Sequence, residues 1–242
     1  MDEFEIIDKI GNGSFGDVFK AINKTNNNVI AIKRFKFQDY YSEKEIQKIL
    51  IEIESLKQTQ SEHVVEYYDS WYDGRYHHIA MELCDDSLKS IIQLKPEIFG
   101  RELGEPMNIF EYFISGVIFK QLLESVQYLH ELKPQIIHRD LKPDNILITS
   151  NVKNGRFVKL CDFGLATVHD KTIHYMTKFK HTADVGDMRY MAPEVSQRKK
   201  YGHKSDIYSL SLIGCELFNN IDLSMSDYDS RAYTKVWVSY GQ

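Results

Sequence analysis

Cysteine is scarce in this chain of 242 residues: there are three, Cys84, Cys161 and Cys215, an odd number, each inside an apolar run. No Cys/His spacing of the zinc-site kind links them, so they read as buried free thiols in a reducing compartment. Also missing is any apolar run of the roughly 18 residues that a membrane-spanning helix needs. The N-terminal stretch MDEFEIIDKI is acidic, unlike a signal peptide, and the expected location is intracellular, in the cytoplasm. There is no long basic block and no acidic tail. The 35 acidic and 30 basic residues leave a formal charge of -5, spread along the chain, so neither nucleic acid nor a membrane is the expected partner. Lys178 with Lys180 and Arg198-Lys199-Lys200 are short basic clusters that read as solvated faces, or else as docking points for an acidic or phosphorylated group. Internal repeats and low-complexity segments are lacking too.

What is present is enough apolar residue, 43%, for the core of one large domain or of two lobes sharing a cleft. The first eighty or so residues alternate as strands do. Phe4, Ile6 and Ile10 share one face, 18–22 follow a glycine-rich turn, and the polar NKTNNN (23–28) reverses the chain before VIAIKRF, an antiparallel meander. A helical period follows at Ile46, Ile49, Leu50, Ile53 and Leu56. Strands at 64–72 and 76–82 flank Asp73-Gly74, a dipeptide suited to a tight type I′ hairpin. Beyond Glu82 helical spacing dominates: Ile118, Phe119, Leu122, Leu123, Val126 and Leu129 within 109–131, then Ile207, Leu210, Ile213, Leu217 and Phe218 within 205–218. Between these helices, strands at 146–148 and 157–161 are joined by a loop containing Asn154-Gly155. The expectation is an α+β arrangement, with a strand-rich lobe (1–83), a helix-rich lobe (84–218) and a divergent tail (219–242).

Four stretches carry residues suited to chemistry. IGNGSFGDVFKA (10–21) sets glycines at 11, 13 and 16 between strands, so backbone N–H groups can approach a phosphate; a plain hairpin is the competing reading. Lys33, in IAIK, should point into the same cleft as Val18 and Ala31, where it needs an anion. Glu52, on the buried side of the following helix, is the candidate, unless both are solvated surface charges. IIHRDLKPDNIL (136–147) places Asp140, Lys142, Pro143 and Asn145 in one loop. Asp140 could accept a proton from an attacking hydroxyl, Lys142 could neutralise a phosphoryl group, and the Asn145 amide oxygen could ligate Mg²⁺. Asp162, in CDFG, could take the metal from the other side.

In order along the chain stand G-x-G-x-x-G-x-V (11–18), A-I-K (31–33), H-R-D-L-K-P-x-N (138–145), D-F-G (162–164) and A-P-E (192–194). With these motifs the chain resembles the eukaryotic protein kinase family over roughly residues 4–218. The resemblance implies a two-lobed kinase-like fold using ATP and Mg²⁺. It implies that Gly11, Gly13 and Gly16 lie over the phosphates, with Ile10, Asn12, Ser14, Val18, Ala31 and Leu147 also in the nucleotide site. Lys33 would hold the α- and β-phosphates and Glu52 would pair with it. Met81 would stand at the rear of the adenine pocket, with Glu82 and Cys84 in the hinge that offers backbone hydrogen bonds. Asp140 would be the catalytic base, and Asn145 and Asp162 would hold Mg²⁺. His138, Phe163 and Leu56 read as packing residues.

Lys142 after the H-R-D triplet is similar to the serine/threonine branch, which implies a protein substrate. Arg139 implies control by phosphorylation within 165–185, where Thr167, Thr172, Tyr175, Thr177 and Thr182 offer hydroxyls. A narrower resemblance, carried by VVEYYDSWYD (64–73), MELCDDSLKSII (81–92) and KLCDFGLAT (159–167), is to the kinases that phosphorylate the alpha subunit of eukaryotic initiation factor 2. That likeness implies this subunit as substrate, although the tight turn at Asp73-Gly74 departs from the long insert usual there.

The chain departs from the family twice. In GDMRYMAPE (186–194), Asp187 stands where serine/threonine members carry a threonine whose hydroxyl bridges the base and the nearby lysine. An ionised Asp187 only accepts hydrogen bonds. At about 5 Å and an effective dielectric near 20, two carboxylates repel by roughly 3 kcal/mol. The expectation is therefore that Asp187 repels Asp140 and slows turnover, unless its carboxylate turns to Arg189 or to solvent. The second departure follows Asp206, which matches the residue that braces the catalytic loop. Beyond 218 the chain offers only NNIDLSMSDYDSRAYTKVWVSYGQ, with Arg231 a poor match for the arginine that pairs with the glutamate of A-P-E, here Glu194. A truncated, alternatively spliced or degenerate end is expected, with low stability. That keeps a second reading open beside the enzyme: a pseudokinase acting as a nucleotide- or partner-binding module.

Overall fold

The computed structural model of the protein describes residues 3–13, 16–36, 43–102, 105–169, 187–197 and 202–218. The alternating first third forms a five-stranded antiparallel sheet of β1 (Phe4–Gly13), β2 (Gly16–Asn23), β3 (Val29–Lys36), β4 (Tyr67–Tyr72) and β5 (Tyr76–Glu82), in the order β1-β2-β3-β5-β4. Helix α1 (Glu43–Gln58) lies between β3 and β4 in sequence.

Successive residues of a strand point to opposite faces, so register decides what the sheet presents. Val18 pairs with Lys33, Lys33 with Ile79, and Ala31 with Met81, placing these side chains on one face. That face joins the main core, which includes Ile49, Ile53 and Leu56 of α1. On the other face Ala21, Ile30, Ile32 and Ala80 form a small cluster under Phe4 and Trp71, whose rings stack at 4.9 Å.

Several sequence expectations shift here. Register breaks between Ile6 and Asp8 and between Lys9 and Gly11 interrupt the alternation of β1, so Ile6 and Ile10 are exposed while Phe4 is partly covered. Leu50 points outward from α1, and Glu52 turns inward. Val64 and Val65 are buried but precede β4; Val64 instead makes an isolated parallel bridge to Leu160. At Asp73-Gly74 only the glycine has positive φ (88°), so the type I′ geometry is not formed. The Asp73 carboxylate accepts the N–H groups of Arg75 (2.9 Å) and Tyr76 (2.7 Å) and winds a longer turn. Type I′ signs of φ occur instead at Asn154 (52°) and Gly155 (76°), between the paired Lys153 and Arg156.

The remainder comprises β6 (Asp86–Ser87), α2 (Leu88–Ile98), α3 (Ile109–Glu131), β7 (Gln135–Ile137), a 3-10 turn (Pro143–Asn145), β8 (Ile146–Lys153), β9 (Arg156–Leu160), β10 (Thr167–His169), α4 (Pro193–Ser196) and α5 (Lys204–Leu217). Helix α2 has no counterpart in the sequence reading: it is short and holds Pro96, and its start is set by the Ser87 hydroxyl, which accepts from the N–H of Ser90. Asn108 caps α3 in the same way, through the N–H groups of Phe110 and Glu111. Helix α3 buries Ile118, Leu122, Val126 and Leu129 but exposes Leu123, and α5 buries Leu210, Ile213 and Leu217 but exposes Ile207. One core cluster runs from Phe35 and Leu56 through Phe163 to Leu122 and Ile213, so sheet and helices share a single interior. A buried lysine fastens the helices: Lys95 Nζ donates to Ser115 Oγ (2.8 Å) and to Leu217 O (2.6 Å), closing the end of α5. Among the described residues no helix is long and apolar enough to cross a membrane. Residues 219–242, Arg231 included, and the basic clusters at 178–180 and 198–200 lie outside the described residues.

Candidate functional site

Lys33 enters the interior from the middle of β3 and meets two carboxylates. Its Nζ lies 2.7 Å and 2.9 Å from Glu52 Oε1 and Oε2, and 3.0 Å from Asp162 Oδ1. Lys33 and Glu52 are buried, at 4% and 2% exposure. Burial alone would lower the Lys33 ammonium, but the Asp162 and Glu52 carboxylates outweigh it and hold the lysine above its usual range. Burial pushes the Glu52 carboxyl up, opposed by Lys33. For Asp162, burial is overcome by Lys33, and its carboxyl stays below the ordinary carboxylate range.

A second group gathers in the loop after β7. Asp140 Oδ2 accepts from Lys142 Nζ (3.0 Å) and Asn145 Nδ2 (2.9 Å), and Asn145 Nδ2 also reaches Asp140 O (2.8 Å). Burial works against the Lys142 ammonium, but the Asp140 carboxylate keeps it above the usual lysine range. Asp206, fully buried at the start of α5, braces this loop by accepting the N–H groups of His138 (2.9 Å) and Arg139 (2.8 Å). His130 Nε2 lies 2.8 Å from the same carboxylate. The loop needs bracing because Arg139 sits at φ 70°, as Asp162 does at 62°, a conformation that costs non-glycine residues about 1–3 kcal/mol. His138 ties the two groups together: its Nδ1 faces the N–H of Asp140 (3.4 Å) and its Nε2 faces Cys161 O (3.0 Å). His138, Phe163 and Leu56 are buried packing residues, with the first two rings 4.9 Å apart.

The amino group of Asn145 is engaged by Asp140, so its amide oxygen is the atom left to face a cation. Asp162 likewise engages Lys33 through Oδ1 alone among the described residues. These are hard oxygen donors. Among the described residues no group of three or more His, Cys, Asp or Glu side chains is placed to hold a metal ion. A cation here would need further oxygens, from a ligand or from water.

The glycine-rich turn closes β1 onto β2, with Gly11 opposite Val18, Asn12 opposite Asp17 and Gly13 opposite Gly16; Ser14 lies outside the described residues. Ile10 stands half-exposed at its edge, and Leu147 is partly buried on β8. Met81 and Glu82 end β5, but the N–H of Glu82 already donates to Glu66 O (2.8 Å), so Glu82 keeps only its carbonyl for an incoming donor. Its side chain turns away to Lys159 Nζ, 2.8 Å off. Lys159 escaped the sequence reading, although a lone lysine within RFVKLC signals an inward charge in need of a partner. Burial pushes the Cys84 thiol up to about 12 and Cys161 well above its usual value, which disfavours the thiolate at both.

The expected repulsion between Asp187 and Asp140 is met by a third residue. The Asp187 carboxylate turns onto Arg189, whose Nη2 lies 2.6 Å from Oδ2 and whose Nε lies 3.1 Å from Oδ1. Burial would raise the Asp187 carboxyl, but Arg189 holds it below its usual range. Only the backbone N–H of Asp187 reaches Asp140, at 3.2 Å from Oδ1. Glu194 lies in the first turn of α4 and makes no ion pair among the described residues. Thr172, Tyr175, Thr177 and Thr182 lie outside those residues, and Thr167 opens β10.

Comparison with known proteins accords with this arrangement. Residues 4–238 match the protein kinase domain, reaching into the segment expected to diverge. The chain is 35% identical over 214 residues to serine/threonine-protein kinase cst-1 of Caenorhabditis briggsae, covering 88% of this chain and 38% of that protein. It is 34% identical over 221 residues to serine/threonine-protein kinase 10 of Danio rerio (89% of this chain, 20% of that one). With serine/threonine-protein kinase dst1 of Dictyostelium discoideum it shares 33% over 215 residues (88% and 26%). The chain thus spans well under half the length of these curated relatives. The matched motifs, and the side chains that the fold gathers from them, have one common source: the chain belongs to the protein kinase domain family.

Proposed function

We propose that the chain transfers the γ-phosphoryl group of ATP, with Mg²⁺, to serine or threonine hydroxyls of protein substrates. The observation that carries this reading is the Lys33 ammonium shared between Glu52 (2.7 Å) and Asp162 (3.0 Å), beside the Asp140, Lys142 and Asn145 cluster. On this reading Lys33 orients the α- and β-phosphates, and Glu52 fixes the lysine. Asp140 accepts the proton of the acceptor hydroxyl while Lys142 offsets charge on the group in transfer. Asn145 and Asp162 supply oxygens to Mg²⁺, which when bound neutralises phosphate charge. Backbone groups near Met81, Glu82 and Cys84 and the apolar Ile10, Val18, Ala31 and Leu147 hold the nucleotide base, and Gly11, Asn12, Gly13, Ser14 and Gly16 cover the phosphates. Residues 1–83 and 84–218 act as the two lobes around it, and 165–185 is the segment whose phosphorylation Arg139 senses. Lys142 and the names of the relatives favour serine and threonine acceptors. A cytoplasmic setting suits the three thiols.

The deciding experiment is transfer of radiolabelled phosphate to a generic basic protein, with the alpha subunit of initiation factor 2 assayed beside it. Transfer is expected with the parent chain and lost in Asp162→Asn. Transfer that survives the substitution would show the site to be misassigned, and a chain that titrates with ATP yet transfers nothing would sink the phosphotransfer reading.

A further inference from the structure

Asp187 is the motif residue that the proposed chemistry does not use, yet it occupies the junction of two anchored segments. Tyr190 N donates to Asp187 O (3.0 Å), closing a tight turn over 187–190, and Arg189 N donates to Asp187 Oδ1 (3.0 Å). The far end of the turn is fastened to α5. Tyr190 is buried, its hydroxyl donates to Glu216 Oε2 (2.6 Å), and its carbonyl accepts from Ser209 Oγ (2.8 Å). The near end rests on Asp140 through the N–H of residue 187. Among the described residues, Asp140 Oδ2 holds two side-chain donors from its own loop, whereas Oδ1 holds this one backbone donor, from a segment remote in sequence. A carboxylate gripped at one oxygen can still swivel, and a donor on the other oxygen fixes its plane.

We propose that Asp187 and Arg189 act as one positioning unit: the Asp187 carboxylate, folded onto the Arg189 guanidinium, holds the 187–190 turn so that the 187 N–H keeps Asp140 oriented toward the acceptor hydroxyl. Arg189 has a second task. It neutralises a carboxylate that otherwise stands beside Asp140 with no hydroxyl to bridge them. Nothing in the pair touches the transferred group, so its effect falls on turnover and not on nucleotide affinity. The proposal rests on the phosphotransfer reading above, and its test has one readout independent of it.

The test is a cycle of Arg189→Ala, Asp187→Asn and the double variant, scored by phosphate transfer and by hydrogen exchange at the 187 amide. Arg189→Ala should lower kcat about 10-fold, a loss of about 1.4 kcal/mol of transition-state stabilisation, with KM for ATP nearly unchanged. Its 187 amide should exchange faster. The double variant should lose no more kcat than Arg189→Ala alone, because once one member of the unit is gone the other has nothing left to hold. Equal kcat in parent and Arg189→Ala, or a double variant whose loss equals the sum of the two single losses, overturns the proposal. If no form transfers phosphate, the parent included, the phosphotransfer reading fails instead. Exchange at 187 then decides alone whether the pair holds the turn, and unchanged protection sinks it.

Discussion

Glu82 and Lys159 form an ion pair sealed from solvent, with 2.8 Å between Oε2 and Nζ and exposures of 4% and 2%. It ties the end of β5, where the chain passes between the two halves, to β9, the strand that leads into Asp162. Glu82 Oε2 also accepts the N–H of Glu66, while Oε1 has no hydrogen-bond partner among the described residues. Removing one member leaves the other buried and uncompensated, so Lys159→Met should cost about 3–5 kcal/mol in urea unfolding. The double variant Lys159→Met/Glu82→Leu should regain most of that. A single-variant cost below about 1 kcal/mol, the range of exposed pairs, would mean that solvent reaches the pair.

Asp206 accepts the backbone N–H groups of His138 and Arg139. Asp206→Ala should destabilise the protein by about 2 kcal/mol or more, since each orphaned donor costs about 1–3 kcal/mol. It should also release Arg139 from its φ of 70°. Asp206→Asn, which keeps an acceptor oxygen, should lose less. Thermal melts of the two variants give the comparison, and equal melting points would show that the carboxylate is not what braces the loop.

Gly16 is packed by backbone and not by side chains: a Cβ there would lie 2.4 Å from Arg34 O. Gly16→Ala should push β2 off β3, cost about 1–3 kcal/mol as overpacking does, and weaken nucleotide binding. Gly116, inside α3, has open space where its Cβ would stand. Gly116→Ala should therefore stabilise the helix by up to about 1 kcal/mol. Calorimetry on both separates close approach from simple backbone freedom.

His78 is buried under Trp71, with ring centroids 4.9 Å apart, and its Nε2 lies 2.8 Å from Asp73 Oδ2. Burial holds the imidazole below its ordinary value of 6.5, despite Asp73. The unfolded chain therefore takes up the proton first as pH falls, and the folded state loses stability from about pH 6.5 downward. The Asp73 carboxyl, held near 2 by His78 and the Tyr76 and Arg75 N–H groups against burial, stays ionised throughout that window. Between pH 7 and 5 the melting temperature of His78→Gln should fall less than that of the parent. Parallel curves would show that His78 gains its proton without penalty.

The sheet and the three long helices were legible because each repeats a local pattern: alternation at 29–36, and three- and four-residue spacing along 43–58, 109–131 and 204–217. What stayed hidden had no repeat to display. Helix α2 starts from a single serine cap, and β7 and β10 are each three residues long. The bulges of β1 arise from pairing with β2, so Ile6 and Ile10 could not be assigned to solvent from their own segment.

For the candidate site, the identity and order of the polar residues were written in the sequence, because they stand in short contiguous motifs such as H-R-D-L-K-P-x-N (138–145). Their mutual geometry was not. That Lys33 meets both Glu52 and Asp162, that Lys159 finds Glu82, and that Asp187 gives its charge to Arg189 and only its N–H to Asp140 depend on strand register and on the approach of distant segments. An ion pair forms where two side chains converge within about 4 Å, and in a folded chain that convergence is a property of the packing and not of either neighbourhood.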